Sequence, residues 1–122
     1  MRIAVLGGGA MGSLFGGYLS RNNDVVIIDV HEELVEKINT EGVCIEEKDG
    51  TQQRLFPRAV VSTQNMDPVD LVIVFVKAMY SADALRNNQG IIGSDTFVMT
   101  LQNGSGHEET LLAVTDEAHV II

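Results

Sequence analysis

A chain of 122 residues, 45% hydrophobic and 20% charged, has the profile of one globular domain rather than of a disordered segment. Eight basic against seventeen acidic residues give a net charge of −9, which disfavours nucleic acid as a partner through long-range repulsion of its phosphates. A single cysteine, Cys44, allows no internal disulfide and no thiolate metal cluster. No apolar run approaches the ~20 residues that span a bilayer, and no basic leader with a cleavage site opens the chain, so the expected location is cytoplasmic.

Residues 2–6 (RIAVL) form a short apolar run that ends in glycine and predict a strand. Met11, Leu14, Phe15, Tyr18 and Leu19 then recur at helical spacing and predict a helix with that face, Met11 included, in the core. Asn22 and Asn23 stop it, and residues 24–29 (DVVIID) predict a second strand. Over residues 31–40, Leu34, Val35 and Ile38 share one side of a second helix, with Gly42 as its left-handed cap. VCIEE and TQQRLF flank the Asp49-Gly50 pair and predict a β-hairpin, in which Cys44 is expected to be a small packed hydrophobe.

Residues 58–63 (RAVVST) predict a further strand. LVIVFV (71–76) is apolar without alternation, as suits a parallel strand covered on both faces. A helix over 81–88, a strand in TFVMTLQN (96–103), a helix over 107–114 and the start of a strand in HVII (119–122) complete the chain. This order predicts an α/β fold: a Rossmann-type, doubly wound, mostly parallel sheet with an inserted β-hairpin.

Gly7, Gly9 and Gly12 form G-x-G-x-x-G between the first strand and the first helix. The first glycine permits a backbone angle closed to other residues, the second lets a pyrophosphate approach the backbone, and the third lets helix and strand pack closely. The free N–H groups and positive dipole end of the helix then face the phosphates. Gly7, Gly8, Gly9, Ala10, Met11 and Gly12 are therefore the candidate phosphate cradle, and Gly16, one turn on, predicts a close helix–sheet contact.

Asp29 closes the second strand about 20 residues later, where its carboxylate accepts hydrogen bonds from the ribose hydroxyls of NADH. The 2′-phosphate of NADPH would bring like charge there; unit charges about 4 Å apart repel by roughly 4 kcal/mol at a surface-like dielectric. No arginine or lysine follows before Lys37, although His31 offers a cation when protonated. A purely structural alternative makes Asp29 the N-cap of the second helix, with Glu32 completing the box.

Ligands of open parallel sheets bind beyond the carboxyl ends of the strands. The glycine turn, Asp29, Lys77 and Gln102-Asn103 all fall at such ends. The segments IAVLGGGAMGSLFGGYL, VKAMYSADAL and LQNGSGHEE together resemble the ketopantoate reductase (2-dehydropantoate 2-reductase) family, in the right order and over essentially the whole chain. The resemblance implies a two-domain enzyme that reduces ketopantoate to pantoate, a step toward pantothenate and coenzyme A, by hydride transfer from NAD(P)H. It implies that Lys77 and Asn103 lie beside the nicotinamide as supporting catalytic and cofactor-binding residues. It places the principal catalytic lysine on a helical second domain absent from residues 1–122, which then form the dinucleotide-binding domain of something longer. The family commonly uses NADPH, whereas Asp29 favours NADH.

Many family members carry glutamine or threonine just after VKA, where this chain has Met79-Tyr80-Ser81, so a related 2-oxo acid stays open as substrate. A non-catalytic nucleotide-sensing domain shares the glycine turn and the acidic residue but needs neither Lys77 nor Asn103. A β-hydroxyacid dehydrogenase shares the glycine motif but not LQNG. His31, His107 and His119 lack metal-ligand spacing, and no metal site is expected. An apolar surface left where a second domain docks would favour self-association into a homo-oligomer.

Overall fold

Along β1 (Arg2–Leu6), Ala4 and Leu6 face one side of a sheet and Ile3 and Val5 the other, and none of the four is more than 2% exposed. A strand buried on both faces has no polar side to show, which is why its sequence lacks alternation. The same division runs through β2 (Asp24–Ile28) and β6 (Leu71–Val74), whose alternate residues enter two separate hydrophobic clusters. The structure, a computed structural model, describes residues 1–101 and 106–122.

The remaining elements are α1 (Ala10–Leu19), α2 (Glu32–Glu41), β3 (Val43–Glu46), β4 (Gln52–Leu55), β5 (Arg58–Val60), α3 (Ala78–Asn87), β7 (Phe97–Thr100), α4 (His107–Leu112) and β8 (Val120–Ile121). Six strands form one parallel sheet in the order β5-β2-β1-β6-β7-β8, and β3 and β4 form a separate antiparallel hairpin. With the hairpin set aside, this is the doubly wound dinucleotide-binding order, whose direction reverses between β1 and β6. One cluster joins the sheet to Leu85 of α3 and Leu111 of α4; the other joins it to Val35 and Ile38 of α2 and to Val43 and Ile45 of the hairpin. Among the described residues no helix is long and apolar enough to cross a membrane.

The face that α1 buries differs from the predicted one. Gly12, Gly16 and Gly17 are its buried residues, while Leu14, Phe15, Tyr18 and Leu19 are half-buried and Met11 is 53% exposed. A Cβ on Gly12 would collide with the carbonyl oxygen of Gly7, and one on Gly16 would stand 2.9 Å from Cδ1 of Ile27. The helix therefore lies so close to β1 and β2 that its long apolar side chains flank the contact instead of filling it. Gly17 meets Val43, Ile45 and Leu55 of the hairpin at ordinary contact distance. The Tyr18 hydroxyl and the Gln53 amide both donate to Oε1 of Glu47, at 3.0 and 2.9 Å, and tie α1 to the hairpin.

Three further expectations are corrected. Cys44 is exposed, because the β3 pleat sends Val43 and Ile45 inward and Cys44 outward. Gly42 has a positive φ of 74° but an extended ψ of −168°, so it turns the chain beneath Phe56 without forming a left-handed helical cap. Of residues 58–63 only Arg58–Val60 forms a strand, at the sheet edge, where the side-chain amide of Asn39 clamps Ala59: its Nδ2 donates to the Ala59 carbonyl and its Oδ1 accepts from the Ala59 N–H, both at 2.9 Å. One side chain thus satisfies an edge that would otherwise offer free backbone groups to another strand.

Two substitutions in α1 should act in opposite directions. Gly12→Ala places a methyl group against backbone that has no side chain to move, and should destabilise the chain by more than about 3 kcal/mol, beyond ordinary overpacking. Gly17→Ala meets only side chains at 3.4–3.5 Å and gains helix propensity, so it should stabilise by about 0.5–1 kcal/mol. Urea unfolding of both variants measures this; equal effects would refute the difference in packing.

Candidate functional site

The first glycine turn lies where the sheet changes direction. Gly7 has a φ of 110° and donates its N–H to the Ile28 carbonyl at 2.8 Å on one side. On the other side a Cβ would press the backbone of Phe75 and Val76 at 3.1 Å. Only glycine satisfies both the angle and the space. Gly8 donates its N–H to Oδ2 of Asp29 at 2.8 Å, and its carbonyl accepts from the Ser13 hydroxyl at 2.7 Å.

Gly9 is the N-cap of α1 and differs from its neighbours, because a Cβ there would find no atom of the described residues within 4 Å beyond its own chain neighbours. The first intrahelical bond runs from the Ser13 N–H to the Gly9 carbonyl at 2.9 Å. The N–H groups of Ala10, Met11 and Gly12 therefore precede the hydrogen-bonded helix. The first turn carries no acidic residue and no side-chain cap. Open space, unsatisfied donors and the positive end of a helix together make an anion cradle that a pyrophosphate would fill.

Asp29, just beyond β2, has a side chain only 13% exposed. Its Oδ2 takes the Gly8 N–H; its Oδ1 takes the His31 N–H at 3.0 Å and the His31 ring Nδ1 at 2.7 Å. Burial pushes this carboxyl upward, but the His31 backbone, the Gly8 backbone and the His31 ring outweigh it and hold Asp29 below the usual carboxylate range. The helix-capping alternative is corrected: the N-cap of α2 is His31, with no side-chain capping bond. Asp29 forms an Asx turn to His31 and braces the glycine loop instead. Sequence spacing shows that Asp29 ends a strand; the shared bond to Gly8 depends on β1 and β2 running in register, Leu6 opposite Ile28.

Lys77 is exposed and is the N-cap of α3, at the carboxyl end of β6. Its carbonyl accepts from the Tyr80 N–H at 2.8 Å and from the hydroxyl of buried Ser81 at 3.4 Å. Phe75 donates its N–H to the Leu6 carbonyl at 2.8 Å and packs its ring 5.2 Å from that of Phe15, so the segment leading to Lys77 is fastened to the glycine turn and to α1. The structure thus brings Gly7–Gly12, Asp29 and Lys77 to one edge of the sheet, while Asn103 lies outside the described residues. Met11, Met79, Tyr80 and Leu101 stand exposed at the same edge. Helical periodicity places Met11 in the core, so the apolar character of this rim emerges only from the tertiary structure.

Asp29 links acid sensitivity to this site. Its folded pKa lies below the unfolded value of about 3.9, so its stabilisation is fully present above that value and is lost as pH falls through the folded one. Asp29→Asn should cost about 1–2 kcal/mol at pH 7, and the gap to the unsubstituted chain should close in acid. Asp49 and Asp116, held low by the Thr51 hydroxyl and the His119 ring, are common to both proteins and cancel. Thermal unfolding of the pair from pH 7 to pH 3 measures it; a gap that stays constant would refute the brace.

Residues 3–122 match the family model described as Ketopantoate reductase PanE/ApbA. The 2-dehydropantoate 2-reductase of Streptococcus pyogenes serotype M3 is 33% identical over 123 residues, covering 100% of this chain and 39% of that relative. The 2-dehydropantoate 2-reductase of Pyrococcus horikoshii is 37% identical over 112 residues, covering 92% of this chain and 36% of the relative. Among solved structures, a D-mandelate dehydrogenase in ternary complex with NADH and anilino(oxo)acetate superimposes with a TM-score of 0.87 at 35% identity, over 99% of this chain and 40% of that one. The 2-dehydropantoate 2-reductase of Geobacter metallireducens superimposes with a TM-score of 0.81 at 26% identity, over 98% of this chain and 40% of its own. The chain therefore spans about two-fifths of the length of the relatives it matches.

Proposed function

The chain belongs to the ketopantoate reductase family, and from that premise we propose that residues 1–122 are the dinucleotide-binding domain of an enzyme that reduces 2-dehydropantoate to pantoate with a nicotinamide dinucleotide. The observation that carries the reading is the space over Gly9, open among the described residues, opposite helix N–H groups that precede the hydrogen-bonded turns and beside a braced carboxylate. The residues fit the group: the cradle would hold its pyrophosphate, Asp29 its adenosine ribose, and the carboxyl end of β6 its nicotinamide end. When bound, the reduced nicotinamide supplies the hydride.

The chain's own residues bind and orient. Ala10, Met11 and Gly12 offer backbone donors to the phosphates without a charge of their own. Asp29 offers its remaining acceptor capacity to ribose hydroxyls, which favours NADH, and the NADH-bound D-mandelate dehydrogenase neighbour supports that choice. Lys77 offers an exposed ammonium toward the substrate end, and Asn103, four residues C-terminal to Met99, helps hold cofactor and substrate. A second, helical domain supplies the principal catalytic lysine, which donates the proton to the developing alkoxide. A second reading, reduction of a related 2-oxo acid, is favoured by the same neighbour, whose ternary structure holds anilino(oxo)acetate, and by Met79-Tyr80-Ser81 after Lys77.

Calorimetric titration tests this reading. NADH should bind at least ~10-fold more tightly than NADPH at equal salt, as a like-charge penalty above about 1.4 kcal/mol requires. In Gly9→Val the added Cβ meets no described atom within 4 Å beyond its chain neighbours, so the variant should lose no more than the ~1 kcal/mol by which valine trails glycine at an N-cap while losing most of its NADH affinity. Undiminished binding by that stable variant would refute the cradle. The 122-residue chain should also bind cofactor without turning over 2-dehydropantoate, because the proton-donating lysine lies elsewhere; measurable turnover would overturn the two-domain assignment.

A further inference from the structure

The peptide unit between Ile28 and Asp29 is held at both ends. Its carbonyl accepts from the Gly7 N–H at 2.8 Å, and its N–H donates to the Val60 carbonyl at 3.1 Å. A planar peptide fixed on two opposite sides cannot turn about the chain axis, so the Asp29 side chain leaves the backbone in one direction. That direction lets Oδ2 reach the Gly8 N–H at 2.8 Å.

The two anchors differ in strength. Gly7 follows β1, which is paired on both sides, whereas Val60 ends β5, three residues at the edge of the sheet. On its inner side β5 pairs with β2, Ala59 opposite Ile27 and Val60 opposite Ile28. On its outer side Asn39 donates from Nδ2 to the Ala59 carbonyl and accepts at Oδ1 from the Ala59 N–H, both at 2.9 Å. An asparagine amide carries one acceptor and a donor side by side, which matches a peptide's own pair; an aspartate lacks the donor and an alanine lacks both. Helix α2 presents Asn39 there because Val35, one turn earlier, and Ile38, the preceding residue, are buried in the same hydrophobic cluster as Ala59. A short edge strand without that clamp belongs to the part of a fold that opens first.

We propose that Asn39 is a positioning residue of the cofactor site: by clamping Ala59 it keeps the Val60 carbonyl on the Asp29 N–H, and so keeps the Asp29 carboxylate aimed at the ribose. The inference rests on the dinucleotide reading above and extends the site to a helix that the glycine turn does not touch through any bond described for it. Asn39 acts from the level of Ile27, two residues before Asp29 along the chain. Its contribution is orientation, which lowers the entropy lost when a hydroxyl binds.

The test compares NADH with its analogue lacking the adenosine 2′-hydroxyl, each titrated calorimetrically into the full unsubstituted chain and into Asn39→Ala. Loss of the hydroxyl should weaken binding by at least ~10-fold in the unsubstituted chain, as a hydrogen bond to a charged group requires, and by less than ~3-fold in Asn39→Ala. A merely structural role lowers both affinities by one factor and leaves their ratio unmoved. Equal ratios in the two proteins would therefore overturn the role of Asn39 with the cofactor site intact. If Asn39→Ala does not fold, Asn39→Asp is read against the same ratio, since it still accepts from the Ala59 N–H but cannot donate to the carbonyl. No weakening in the unsubstituted chain would remove the hydroxyl contact of Asp29 and this inference with it. No binding of NADH at all would sink the dinucleotide reading as well.

Discussion

The close approach of Gly12 to the carbonyl of Gly7 is the constraint on which this architecture turns. It allows α1 to begin against the end of β1 with no side chain between them. The helix axis is thereby drawn in until Gly16 rests on Ile27 and Gly17 on the hairpin. The same approach aims the first-turn N–H groups out of the carboxyl edge, where the sheet reverses between β1 and β6 and leaves a crevice. Packing and ligand geometry are thus one problem at this turn: a methyl group there would lift the helix and turn its donors away together.

Asp29 joins that turn to the next strand. A carboxylate bonded by Gly8, the His31 backbone and the His31 ring is held in one orientation by three donors. Such pre-ordering reduces the entropy lost when a ligand hydroxyl binds. Despite a net charge of −9, the glycine turn itself presents no acidic side chain at the start of α1. What it offers there is backbone dipoles, and the carboxylate of Asp29 beside it already accepts from protein donors.

Much of this was legible in the sequence. The strand after Met1, the glycine spacing, Asp29 at the end of the second strand, the hairpin around Asp49-Gly50 and the two-sided strand before Lys77 each follow from local pattern and backbone stereochemistry. Hydrophobic periodicity failed at α1 for a specific reason. It scores apolar side chains and is blind to glycines, so it put Met11 and its stripe in the core where the buried residues are Gly12, Gly16 and Gly17. Cys44 was misplaced because a two-layer hairpin buries only one of its faces, and strand propensity does not say which.

What the sequence determined by itself is the order of elements, the glycine turn and the residue types gathered at the strand ends, because these rest on interactions within a few residues. The tertiary structure alone decided that Gly8 bonds Asp29 across 21 positions, that Asn39 seals Ala59 across 20, and that Phe75 fastens Lys77's segment to α1. Those bonds depend on strand register and on the distance between backbones, which arise only when segments far apart in the chain pack against one sheet.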